Sequence, residues 1–133
     1  MTTTFVIIGS VFVFLAALFH LYVFFLESIT WTKPRTWKIF GIASQADADT
    51  IRPMAFNQGF YNLFLALGAG VGLVLIPINF WAGVGMIALA TGSMFLAGVV
   101  LIFSVKGSTR SALLQAVPPL IGLVFIVLSF TLR

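Results

Sequence analysis

Two side chains able to carry out acid–base chemistry interrupt the first apolar run of the sequence. The stretch HLYVFFLESITW, residues 20–31, places His20 and Glu27 seven residues apart. Seven residues make about two turns of an α-helix, so both side chains lie on one face of the helix that this run predicts. An imidazole and a carboxyl group can exchange a proton or hold a cation, and ionisable groups within membrane segments are functional candidates.

Four more hydrogen-bonding side chains follow in the stretch RPMAFNQGFYNLF, residues 52–64: Asn57, Gln58, Tyr61 and Asn62. On a helix that enters the membrane at Arg52, Asn57 and Gln58 lie about 8–9 Å deep, level with His20. An unpaired amide in hydrocarbon costs several kcal/mol. We therefore expect all four to face inward with His20 and Glu27 and to line a polar pocket in the cytoplasmic half of the protein that binds a ligand.

A purely structural network is the alternative to a ligand site. In such a network, Glu27 pairs with a basic side chain near the membrane surface: Lys33, Arg35 or Arg52. His20 is then a core histidine hydrogen-bonded to Asn57 or Gln58, and Tyr61 a residue of the interfacial aromatic belt. Five polar side chains at a similar depth are more than one interhelical hydrogen-bonded contact needs. This number favours a ligand or ion site.

The composition indicates that lipid surrounds much of the chain. Of its 133 residues, 61% are hydrophobic and 8% are charged, whereas about 25% are charged in a typical soluble domain. Runs long enough to cross about 30 Å of hydrocarbon occur at residues 4–27, 53–76, 80–104 and 111–131. We therefore predict an all-α fold, a bundle of four transmembrane helices that forms a single domain over residues 1–133.

The positions of the basic residues predict an orientation. Two loops, one between the first two spans and one between the last two, must lie on the same side, and they carry six basic residues: Lys33, Arg35, Lys38, Arg52, Lys106 and Arg110. The positive-inside rule places these loops in the cytoplasm and both termini on the outer side. Because these charges are few and separated by apolar runs, the net charge of +4 does not indicate nucleic-acid binding.

The loop of residues 28–52 predicts a segment at the membrane interface. It interleaves Trp31, Trp37 and Phe40 with basic side chains, a combination typical of headgroup depth. A solvated loop with incidental aromatic residues is the alternative. Ser44 is expected to cap the following helix, and Pro53 to kink or restart it.

Small residues predict the contact between the second and third spans. Gly68 and Gly72 form a GxxxG pattern, and residues 83–98 supply further glycines, alanines and a serine. Only three residues separate the two spans, so a close hairpin contact is expected. A seam between copies in a homo-oligomer is the alternative, and a dimer through a second face remains open.

Three stretches together resemble a known family: residues 20–27, 37–42 and 57–68. The family is the domain-of-unknown-function 1304 family of small bacterial membrane proteins. The resemblance covers about residues 15–72, and its most specific part is the block Asn57-Gln58-Gly59-x-Tyr61-Asn62. It implies a four-span integral membrane protein and gives no activity. With the orientation above, we expect a multi-pass protein of the bacterial inner (plasma) membrane.

Three functions fit these residues. The first is the binding or transport of a small or lipid-like ligand, with His20 and Glu27 carrying a proton or cation and the amides orienting the ligand; the outer half, however, offers no matching polar path. The second is a membrane enzyme acting on a lipid-like or quinone-like substrate from the inner leaflet, with His20 as general base, Glu27 as its orienter or as a second acid or base, and Tyr61 as hydrogen-bond donor. The third is a structural or accessory subunit of a membrane complex.

Neither a cofactor nor a metal ion is expected. The sequence contains no Cys and a single His, which argues against a zinc site of the ordinary type. The expected partners are the lipid bilayer, a small or lipid-like ligand and further copies of the chain.

Overall fold

Four long helices and one short helix form the fold. The computed structural model describes residues 2–132, and no strand occurs within them. The first helix continues into a five-residue π-helical segment, Phe25–Ile29. The helices are α1 (Thr3–Phe24), α2 (Pro34–Ile39), α3 (Gln45–Leu75), α4 (Phe80–Ser104) and α5 (Thr109–Thr131).

The four long helices are long and apolar enough to cross a membrane. With its π-helical extension the first covers 27 residues, and the others cover 31, 25 and 23 residues. At about 1.5 Å per residue, even the shortest exceeds the roughly 30 Å of a hydrocarbon core. The predicted all-α fold with four spans is confirmed, whereas the side on which the termini lie stays a prediction.

Helix α3 begins eight residues before the predicted start of the second span. Its N-terminus is capped as expected, because the backbone N–H of Asp47 donates to Ser44 Oγ at 3.1 Å. The helix continues through Pro53 and does not restart there. Ala48 and Ala55, one on each side of Pro53, both pack in one apolar cluster, which stabilises the helix across the missing backbone donor.

Contacts between residues divide the chain into two units. The first comprises the residues up to Phe19 and those from Leu65 onward, and the second comprises His20–Phe64. The core of the first unit is a cluster of small and aliphatic side chains: Val13, Ala16, Ala17, Ala66, Ala69, Ile87, Ala90, Met94 and Ile126. That the whole chain acts as a single domain stays a prediction.

The predicted hairpin contact between α3 and α4 lies in the first unit. A Cβ atom added to Gly83 would lie 2.7 Å from the backbone nitrogen of Ile76 and 2.9 Å from the carbonyl oxygen of Gly72. Gly68 also faces α4, with Ala90 Cβ 3.6 Å from an added Cβ. By contrast, Gly85 and Gly92 face open space. Thus only part of the small-residue pattern forms the intramolecular contact.

The loop before α3 packs against α3 within the second unit. The indole N–H of Trp31 donates to the carbonyl of Ala48 at 2.9 Å, and that of Trp37 donates to Gln45 Oε1 at 3.3 Å. Both tryptophans are buried, whereas Ile39 and Phe40 are exposed. The interfacial location of this segment stays a prediction, and the structure adds that its tryptophans serve to hold α2 in place.

Replacing Gly83 with Ala tests the hairpin contact. We expect Gly83→Ala to lower the free energy of unfolding by about 1–3 kcal/mol, because the added methyl group overlaps backbone atoms that cannot rotate away. The matched control is Gly85→Ala on the same helix, which should leave stability unchanged or slightly raised. Thermal unfolding in detergent, followed by circular dichroism, measures both. Equal effects of the two substitutions would contradict the observed contact.

Candidate functional site

The π-helical segment at the end of α1 buries Glu27. The backbone N–H of Thr30 donates to the carbonyl of Phe25 at 3.0 Å, five residues back, which makes this turn wider than an α-helical turn. Such segments are rare and frequently occur at functional sites. Glu27 is only 8% exposed. The carboxyl group therefore needs a partner from the protein.

That partner is Asn62 on α3. Its Nδ2 donates to Glu27 Oε2 at 2.9 Å, and also to the carbonyl of Gln58, one turn earlier, at 3.1 Å. Asn62 is itself only 7% exposed. The alternative in which Glu27 pairs with Lys33, Arg35 or Arg52 is not realised among residues 2–132. A neutral amide, and not a cation, meets the carboxyl group.

Close packing of the π-helical segment on α3 allows this hydrogen bond. Ser28 Oγ donates to the carbonyl of Phe56 at 2.9 Å. A Cβ atom on Gly59 would overlap Ser28 Oγ and lie 3.1 Å from the Ser28 nitrogen. Next to this contact, the rings of Phe24 and Phe60 meet edge to face with centroids 5.3 Å apart. Glycine at position 59 therefore lets the two helices approach.

Sequence reasoning gave Ser28 and Gly59 no role of their own. Gly59 could have been noticed because it stands inside a helical pattern. Glycine destabilises a helix relative to alanine, so a glycine at such a position often serves packing or function. Ser28 follows Glu27 directly, and nothing in its type or spacing distinguishes it from other hydroxyls in the chain.

His20 lies in α1 and is buried, with 1% of its surface exposed. Glu27 is buried as well, and a common face for the two side chains stays a prediction, because the π-helical segment departs from the α-helical repeat. The expected hydrogen bond from His20 to the side chain of Asn57 or Gln58 is not formed, since neither amide has a side-chain partner within the described range. His20 is therefore an interior residue of α1.

The other three predicted site residues point away from the protein. Asn57, Gln58 and Tyr61 are exposed, Tyr61 by 55%. None of their side chains hydrogen-bonds to another residue of the described chain. The expectation that all six side chains face inward is thus met by His20, Glu27 and Asn62 and is wrong for these three.

Helix geometry explains the outward direction of Asn57 and Tyr61, whereas Gln58 lies only about 40° from Asn62 and its exposure does not follow from the helical repeat. At about 100° per residue, Asn57 points about 140° away from Asn62, and Tyr61 points about 100° away. Once Asn62 meets Glu27, Asn57 must face outward. Whether these positions bind a ligand stays a prediction.

Two shallow grooves lie on the surface of the described chain. One groove lies along α5 and is lined by Arg110, Leu113 and neighbouring side chains; the other lies along α1 and includes Phe14 and Leu73. Neither contains one of the six predicted residues. Within residues 2–132, no group of three or more His, Cys, Asp or Glu side chains is close enough to hold a metal ion.

The fold and the site together define an all-α protein of the multi-pass membrane type, with a buried carboxyl–amide pair and exposed amides on α3. The chain matches the family described as "Protein of unknown function (DUF1304)" over residues 14–127. It belongs to that family, as its sequence predicted. Neither a curated protein nor a solved structure matches the chain.

Two asparagines of α3 give a matched test of this arrangement. We expect Asn62→Ala to lower the free energy of unfolding by about 1–3 kcal/mol, because it leaves a buried carboxyl group without its donor. The control, Asn57→Ala, removes a side chain that has no partner in the described chain and should not lower the free energy of unfolding. Chemical unfolding in mixed micelles compares the two. A larger effect of Asn57→Ala would contradict the assignment.

Proposed function

We propose that this protein binds an amphiphilic, lipid-like molecule at the cytoplasmic surface of the bacterial inner membrane. The observation that supports this proposal most directly is the set of exposed Asn57, Gln58 and Tyr61 side chains on a membrane-length helix. In the proposed orientation, α3 enters the membrane from the cytoplasm near Arg52, and these side chains lie within the first 14 Å or so below it.

The energetics of polar groups in lipid support a ligand. An amide facing hydrocarbon without a partner costs several kcal/mol, so an outward amide at this depth needs a hydrogen-bonding group from outside the chain. Two amides and a phenol within two helical turns supply both donors and acceptors. They suit a neutral or zwitterionic polar head that carries both kinds of group.

The same face of α3 supports an apolar body for the ligand. Met54 and Phe64 are exposed and lie three residues before Asn57 and three residues after Tyr61, respectively. Residues at these spacings share one helix face. A molecule with a polar head at the amides and a chain along Phe64 would match this order of side chains.

Binding is better supported than passage through the membrane. Of the hydroxyls in α4 and α5, Thr91 donates to Ile87, Ser93 to Leu89 and Ser129 to Ile126, in each case to a carbonyl of the same helix. Hydroxyls bonded in this way do not need water or an ion as a partner. They offer little support for a polar path across the chain.

Catalysis by the predicted residues has weaker support. That mechanism combines His20 as base with Tyr61 as donor. His20 is buried and Tyr61 is exposed. The two side chains therefore present no common surface on which a substrate could react.

A comparison of co-purified lipids tests the binding proposal. We expect the purified wild-type protein to retain one amphiphilic species in a near-stoichiometric amount. The double variant Asn57→Ala/Gln58→Ala should bind it about thirtyfold more weakly and retain correspondingly less, since two hydrogen bonds of about 1 kcal/mol each are lost. Mass spectrometry of organic extracts, normalised to protein, provides the measurement.

The control is Val71→Ala, a truncation at another exposed position of α3, which should retain the molecule. Retention by the double variant would overturn the proposal. So would a wild-type protein that carries only bulk lipid. An oligomer that dissociates when the amides are removed would instead assign the exposed face of α3 to contacts between copies.

A further inference from the structure

The short helix α2 is fixed to α3 by buried side chains. The indole N–H groups of Trp31 and Trp37 donate to α3 residues, as described above, and Thr36 Oγ1 donates to Thr30 Oγ1 at 3.1 Å. Trp31, Trp37 and Thr36 are all buried. These contacts hold α2 in a defined orientation and determine which of its side chains face outward.

The outward side of α2 is basic and partly apolar. Arg35 and Lys38 are exposed, as is Lys33 immediately before the helix. Ile39, the last residue of the helix, is exposed, and Phe40 after it is partly exposed, with its ring centroid 5.3 Å from that of Trp31. We call Lys33, Arg35, Lys38, Ile39 and Phe40 the basic platform. Cations beside outward apolar side chains are typical of segments that contact a membrane surface.

No acidic side chain of the described chain neutralises the platform. Ser44 Oγ donates to Asp47 Oδ2 at 2.6 Å, and Gln45 Nε2 donates to Asp49 Oδ1 at 2.8 Å. Both carboxylates are therefore engaged at the start of α3. No ion pair joins Asp47 or Asp49 to a platform cation among residues 2–132. The countercharge has to come from outside the chain.

We propose that the basic platform binds the headgroups of anionic phospholipids in the bilayer that holds the four long helices. Each Lys or Arg near an anionic membrane surface strengthens the association by about five-fold. The neighbouring Ile39 and Phe40 favour lipid over a soluble acidic partner, because they can enter the boundary between headgroups and acyl chains. This platform shares no residue with the proposed amphiphile site on α3.

Spin-labelled lipids measure whether the intact protein prefers anionic over zwitterionic phospholipid. The protein is reconstituted in phosphatidylcholine bilayers, and electron paramagnetic resonance compares the immobilised fraction of spin-labelled phosphatidylglycerol with that of spin-labelled phosphatidylcholine. The wild type should prefer phosphatidylglycerol several-fold at low salt. The preference should largely disappear in about 1 M NaCl, where the screening length falls to about 3 Å.

Two matched pairs of substitutions show whether the basic platform causes the preference for phosphatidylglycerol. Arg35→Gln/Lys38→Gln removes one Arg and one Lys from the platform and should reduce the preference at least five-fold or abolish it. Lys106→Gln/Arg110→Gln removes the same types from the loop between α4 and α5, where both are exposed, and should keep at least half of the preference. The charge-retaining variant Arg35→Lys/Lys38→Arg should behave like the wild type. Circular dichroism checks that every variant keeps its helix content.

Three outcomes would overturn the proposal. They are the absence of any preference in the wild type, an unchanged preference in Arg35→Gln/Lys38→Gln, and equal losses from the two pairs. Equal losses would mean that net charge alone attracts the lipid. Because the platform is separate from Asn57 and Gln58, these results do not depend on whether those amides bind an amphiphile.

Discussion

The hydrogen bond between Glu27 and Asn62 is the constraint on which the arrangement of the second unit depends. It joins side chains 35 residues apart, on two helices of membrane length, at 2.9 Å. Either group, if left alone in an apolar interior, would be costly. The paired groups fix both the rotation of α3 and its position along the end of α1. Gly59 and Ser28 make the required approach of the two helices sterically feasible.

Much of the candidate site follows from that rotation. With Asn62 facing Glu27, the helical repeat turns Asn57 and Tyr61 outward, and both are exposed. Under the proposed function, the dense polar block of α3 would have two roles. Asn62 stabilises the fold, whereas Asn57, Gln58 and Tyr61 are available to a molecule outside the chain. A single block of amides can in this way contribute to both packing and recognition.

The four long helices could be predicted from the sequence, whereas the directions of individual side chains could not. The four spans follow from apolar runs of membrane length, and Ser44 caps α3 because a hydroxyl there can accept from the N-terminal amides. The direction of each amide could not be read in the same way. The cost of an unpaired amide applies equally to Asn57 and Asn62, and only the partner, Glu27 in the π-helical segment, decides which of them faces inward.

In the loop before α3, too, the sequence does not predict which side chains pack against the protein and which face outward. Its aromatic and basic residues predict an interfacial segment, yet Trp31 and Trp37 pack against α3 while Ile39 and Phe40 remain exposed. Composition does not distinguish an aromatic ring that anchors a loop to the protein from one that meets lipid. Glycines behave similarly, since Gly83 touches the neighbouring helix and Gly85 does not.

The most direct test of the account is a double-mutant cycle on the central pair. The variants Glu27→Leu, Asn62→Leu and the double variant are compared by reversible unfolding in mixed micelles. Each single substitution should cost about 1–3 kcal/mol, because a buried polar group loses its partner. The double variant should be about as stable as the wild type, since two leucines leave nothing unpaired. Strictly additive losses in the double variant would show that the two side chains do not interact and would contradict the account.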